Sequence, residues 1–109
     1  MIASLFGSLL KEKILVYLAV NPESYPNEIA RNFMTSLSSV QNHLEHLEND
    51  GIVCSRLKGK TRLYDIDPRC PFKKELTALF DKLYLFMDQS EKDKYYIKRI
   101  RPGKIEKRW

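Results

Sequence analysis

The feature that most limits what this chain can become is a series of helical stripes, each stopped by its own breaker. Leu5, Leu9, Leu10, Ile14, Leu15 and Leu18 recur at the spacing that puts them on one face of an α-helix. Asn21-Pro22 ends that run, because proline offers no N–H and its ring clashes with the preceding turn. Ser24-Tyr25-Pro26 sets up a new start, with proline tolerated in the first turn. A second helix over about 26–33 then carries Ile29, Ala30 and Phe33 inward. Met34-Thr35-Ser36 breaks the pattern again, and Ser36 is a good N-cap for the next helix. Leu37, Val40, Leu44 and Leu47 form the single stripe of this third helix, over about 36–50. It closes at Asp50-Gly51, where glycine permits the left-handed turn.

Beyond Gly51 the period changes from helical to strand-like. Residues 52–57 and 62–66 are two short strands, with Lys58-Gly59-Lys60-Thr61 as the hairpin tip between them. Asp67-Pro68-Arg69-Cys70-Pro71 is a linker. A long helix begins near Phe72 with Leu76, Leu79, Phe80, Leu83, Phe86 and Met87 on one side, and it extends toward Asp93-Lys94-Tyr95-Tyr96. The expected fold is mainly α with a small β-hairpin, in the order helix, helix, helix, hairpin, long helix. That order is the order of a winged helix-turn-helix.

Length and composition bound the remainder. A chain of 109 residues suits one domain, and 43% hydrophobic residues suffice for a core. The division expected is a domain over residues 1–90 and a basic C-terminal extension over residues 91–109. No stretch approaches the roughly 20 apolar residues that cross a bilayer, and the opening lacks a signal-peptide pattern, so a cytoplasmic chain without a membrane partner is expected. Cys54 and Cys70 lack a CxxC pairing and read as ordinary half-buried thiols. The net charge of +5 is unevenly spread: residues 1–90 balance, and the excess lies in residues 91–109. Within the balanced part, Arg56, Lys58, Lys60 and Arg62 cluster on the hairpin and create a local positive field.

A helix-turn-helix needs a small residue where its helices cross, apolar residues that lock them, and a polar outer face on the second helix. Ala30 supplies the small contact, and Val40, ten residues later, packs back onto the first helix of the pair. Met34 occupies a turn position where glycine is commoner. At the start of the third helix, Ser36, Ser38, Ser39, Gln41 and Asn42 are short or amide-bearing and uncharged, whereas Glu45, Glu48 and Asp50 come later. Gln and Asn match the donor and acceptor edge of adenine, and serine reads a base or holds phosphate. Arg56, Lys58, Lys60 and Arg62 would lie along phosphate or the minor groove. No glycine-rich phosphate loop and no nucleophile with a placed base is present, so an enzyme is not expected. His43 and His46 stand three apart without a third convergent ligand and define no metal site; no cofactor is expected.

Leu5-Phe6-Gly7-Ser8, Lys13-Ile14-Leu15, Asn27-Glu28-Ile29-Ala30-Arg31, Leu37-Ser38-Ser39-Val40-Gln41 and His43-Leu44 resemble the ArsR-type winged helix-turn-helix regulators. Leu47 to Val53 and Gly59 to Tyr64 carry the likeness through the wing, over about residues 5–87. The opening is similar to a subgroup that also occurs beside nucleotidyltransferase modules. The resemblance implies a prokaryotic transcriptional regulator, dimeric through its first and last helices, with double-stranded DNA as partner. It also implies that His43 sits beside the packed stripe, seating the helix or touching phosphate. Metal-sensing members carry a cysteine pair in the first helix of the helix-turn-helix, or acids and histidines on the last helix. Here residues 27–33 hold no cysteine and the last helix no histidine, so metal sensing is not implied. The competing expectation is a winged-helix protein-interaction module that holds a protein partner, partly through the aromatic C-terminal tail.

Overall fold

A computed structural model describes residues 3–97. Its elements are α1 (Ala3–Phe6), α2 (Leu9–Val20), α3 (Pro26–Asn32), α4 (Leu37–Asn49), β1 (Val53–Lys58), β2 (Thr61–Ile66), α5 (Lys73–Leu85) and α6 (Gln89–Tyr95). This is a mainly helical winged helix-turn-helix with one antiparallel hairpin. Among the described residues no helix is long and apolar enough to cross a membrane.

Helix α2 is the centre of the packing. Ile14, Leu15, Val16, Tyr17 and Leu18 are all buried in succession, so this helix meets protein on every side rather than along one stripe. Ile29 and Ala30 of α3, Val40, Leu44 and Leu47 of α4, Val53 and Ile66 of the hairpin, and Phe80 and Leu83 of α5 close around it. Full burial of each such side chain is worth about 1.5–3 kcal/mol, so this cluster, rather than intrinsic helix propensity, holds short helices together. Leu37 departs from the expected stripe: it is 39% exposed while Val40 and Leu44 are fully buried.

Two helices that periodicity reads as continuous are broken. Gly7, at φ +75°, ends α1, and the Ser8 side chain then caps α2 by accepting the Lys11 N–H at 3.2 Å. The apolar spacing runs through both pieces, which is why it hides the break. At the other end α5 stops at Leu85, and α6 starts afresh after Asp88, whose carbonyl accepts the Glu91 and Lys92 N–H groups. A straight helix would have carried Tyr96 about 16 Å beyond Leu85 and away from α3. The break brings it home instead. Tyr96 is 1% exposed, edge-on to Phe33 and Tyr84 at 5.6 and 6.3 Å, and Asn32 Nδ2 donates to the Tyr95 carbonyl at 2.7 Å. Packing therefore does not stop near residue 90. The rest of the expected basic extension, residues 98–109, lies outside the described residues.

The hairpin is held by more than its own ladder. Ser24, buried in the α2–α3 loop, exchanges both backbone hydrogen bonds with Tyr64 of β2, each at 2.9 Å. Ser24 also donates its hydroxyl to the Asn21 carbonyl at 2.7 Å. The wing is thereby fastened to the loop that precedes the helix-turn-helix.

The α3–α4 turn passes through Met34 at φ +54°, a left-handed conformation that costs a residue with a Cβ roughly 1–2 kcal/mol. Its side chain is 83% exposed and contributes no core packing. Met34→Gly is expected to raise unfolding stability by about 0.5–1 kcal/mol, after allowing for the greater unfolded-chain entropy of glycine. Thermal and urea melts of the two proteins check this; a lower midpoint for the glycine variant would show that the turn is not strained.

Candidate nucleic-acid interface

Helix α4 advances about 100° per residue, so its exposed side chains fall into three strips around the buried Val40–Leu44–Leu47 seam. Ser38 and Asn42 stand opposite the seam, both exposed. Leu37 and Gln41 lie on the flank toward the hairpin, and Glu48 on that flank accepts from Ser55 of β1 at 2.6 Å. Ser39 and His43 lie on the flank toward α2. Ser36 is the N-cap: its hydroxyl oxygen accepts the Ser39 N–H at 3.2 Å and its O–H donates to Ser39 Oγ at 2.8 Å. Of the expected readers, then, Ser38, Gln41 and Asn42 are presented outward, while Ser36 and Ser39 hold the start of the helix.

The four hairpin cations do not form one cluster. Ladder partners share a face, and the face alternates along each strand. Leu57 pairs with Arg62 and Ser55 with Tyr64 on the face toward α4, whereas Arg56 pairs with Leu63 and Lys58 with Thr61 on the other. Arg56, on that far face, is ion-paired with Glu23 of the α2–α3 loop. Arg62 donates from Nη1 to Ser55 Oγ at 3.0 Å and so lies along the near face. Lys60 sits at the tip beside Gly59, whose φ of +65° makes the two-residue turn. The result is a groove of about 480 Å³ between the helix-turn-helix and the wing, lined by Tyr25, Pro26 and Asn27 at the start of α3, by Leu37 and Gln41 of α4, and by Leu57, Lys60 and Arg62 of the hairpin. Sequence spacing alone separates none of these roles. Leu57, 63% exposed, is a wall of the groove that charge patterning passed over.

No protein-family model matches the sequence, and no curated protein matches it. Solved structures of similar shape do exist. MepR, a transcription regulator of the Staphylococcus aureus multidrug efflux pump MepA, matches with a TM-score of 0.56 at 17% identity, over 79% of this chain and 70% of MepR. ZitR of Lactococcus lactis, a zinc-responsive MarR family member, matches with a TM-score of 0.51 at 18% identity, over 79% of this chain and 67% of ZitR. A mutant form of ZitR gives 0.53 at 20% identity, over 77% of this chain and 64% of its own length. The chain thus spans about two-thirds of these neighbours. They are winged-helix transcription regulators, and at such identities the likeness establishes the winged helix-turn-helix fold.

His43 is half-buried between α4 and the start of α2. Its Nε2 is 3.5 Å from Ser8 Oγ, and its Nδ1 is buried without a hydrogen-bond partner. Burial, followed by the charges of Lys11 and His46, holds its imidazolium below the ordinary histidine range. Cys54 is driven the other way for a thiol nucleophile: burial raises it, helped by Asp67 and Asp65, so thiolate is disfavoured there. Because the folded His43 binds its proton less readily than the unfolded chain, acidification favours unfolding. Stability is expected to be full above the ordinary histidine pKa of about 6.5 and to decline as pH falls below it, through the lower pKa of the folded protein. His43→Gln should flatten that decline; urea midpoints across this range measure it, and parallel slopes in both proteins would assign the loss elsewhere.

Proposed function

We propose that this chain is a DNA-binding transcriptional regulator that sets α4 into the major groove and lays the hairpin along the neighbouring backbone. The observation that carries this reading is the groove itself: Gln41 of α4 lines it together with Lys60 and Arg62, Ser38 and Asn42 are exposed on the adjoining strip of the helix, and Glu45, Glu48 and Asp50 come later in the chain. Gln41 and Asn42 present amides able to pair with adenine, and Ser38 stands beside them. Ser36 and Ser39 preorganise the helix start, and His43 seats it against α2. Lys60 and Arg62 neutralise phosphate, with Lys58 reaching it from the far face of the wing. Arg56 instead ties the wing to Glu23. The winged-helix regulators among the structural neighbours support this reading at the level of fold, and the motifs between Leu5 and Tyr64 keep the narrower likeness to ArsR-type regulators in view.

The functional unit is a homodimer reading a pseudo-palindromic site, with its two α4 helices about 34 Å apart. Leu5 of α1, 71% exposed, Leu9 at the start of α2, and Phe72, Leu85 and Phe86 at the ends of α5 leave apolar surface on the first helical segments and on α5. The chain is expected to sediment as a dimer at micromolar concentration, and a monomer there would remove the two-fold site. The other reading, a module that holds a protein partner through its aromatic tail, loses ground because Tyr95 and Tyr96 pack onto Phe33 within the chain.

Each phosphate contact contributes about −0.9 to the slope of log affinity against log salt. Lys60→Ala with Arg62→Ala removes two contacts from each protomer, so it is expected to weaken binding to all duplexes alike and to reduce the slope by about 3.6 for the dimer. Arg56→Ala, on the other face, should leave the slope unchanged. Fluorescence titrations of a labelled duplex at several salt concentrations decide this. An unaltered slope in the double variant would remove the wing from the interface.

A further inference from the structure

Leu37 is placed where a core residue does not belong. It opens α4 directly after the Ser36 cap, 39% exposed, while the helix buries Val40, Leu44 and Leu47. Its neighbour one turn on is Gln41, and both line the groove closed on its far side by Lys60 and Arg62. An apolar side chain beside an amide, facing cations across a groove, has a specific complement. The major-groove edge of DNA carries one apolar feature, the 5-methyl group of thymine, and its adenine partner offers the N6 donor and N7 acceptor that glutamine engages. The phosphates of the same duplex match Lys60 and Arg62. A peptide with an apolar anchor would satisfy Leu37 but would leave two cations facing it without their complement.

We infer that Leu37 and Gln41 act together as an A·T reader, with Gln41 on adenine and Leu37 against a thymine methyl nearby. The inference rests on the DNA-binding reading and sharpens it. Four residues along a helix span about 6 Å, and successive bases on one strand lie about 3.4 Å apart. The thymine met by Leu37 therefore falls within two base pairs of the adenine met by Gln41. Ser38 and Asn42, on the outermost strip of α4, lie off this line and read other positions.

The test begins with selection of a preferred duplex from random sequence by the full chain. Each thymine of the selected site is then replaced by deoxyuridine, one position at a time and in both half-sites together, which keeps the base pairing and deletes only the methyl group. At one position the exchange is expected to weaken wild-type binding about three- to fivefold per half-site, the worth of one buried methyl contact, and to change little elsewhere. Leu37→Ala should show the same loss on the thymine duplex and no further loss on the deoxyuridine duplex, as coupling between two touching groups requires. The absence of any such loss with the wild-type protein overturns the contact even if the alanine variant folds poorly. A selected duplex that tolerates deoxyuridine at every position overturns the thymine contact while leaving the regulator reading intact. Failure to select any duplex overturns both.

Discussion

Two backbone hydrogen bonds hold the candidate interface together. The exchange between Ser24 and Tyr64 joins the wing to the loop ahead of α3, so the hairpin cannot swing independently of the helix-turn-helix. A lone two-stranded ribbon is marginal in water, and here the third, single-residue partner turns it into a fixed wall. Buried backbone groups must be paired, and Ser24 is buried. Losing the bridge would therefore orphan donors and acceptors at the base of the wing. The orientation of Arg62 and Lys60 relative to Gln41 follows from this attachment.

Strand alternation then sorts the charge. Four cations within seven residues look like one positive patch, but a β-ribbon sends neighbours to opposite faces. Arg62 lies over the side toward α4, held along the strand by Ser55, which in turn donates to Glu48. Arg56 goes to the other side and is occupied by Glu23. The wing therefore presents a smaller positive surface to a ligand than its composition suggests, and aims it better.

The ends of the described chain show the same economy in apolar surface. Gly7 and Ser8 bend the first helical segment so that Phe6 reaches Phe80 at 5.8 Å. The interruption after Leu85 returns Tyr95 and Tyr96 to the back of the helix-turn-helix, where Lys13 lies over Phe33 and Tyr95 at 5.7 and 5.3 Å. This aromatic group, with the Asn32 hydrogen bond to the Tyr95 carbonyl, ties the end of α6 to the end of α3.

Local pattern was enough to place three helices, a glycine-tipped hairpin and a further helix in the correct order. Apolar period, proline and glycine act over a few residues and are visible in one dimension. The inward roles of Ala30, Val40, Leu44 and Leu47 and the outward ones of Ser38, Gln41 and Asn42 follow from the same 3.6-residue period. Met34 was legible as an awkward turn residue, and its positive φ is the reason. Three-dimensional packing alone decided that Leu37 leaves the core stripe, that Glu23 claims Arg56, that Tyr96 is interior, and that the wing is anchored through Ser24. Each of these joins residues distant in the chain or depends on which side of a strand a residue lands, and such choices are made by competition for burial and hydrogen-bond partners across the whole fold.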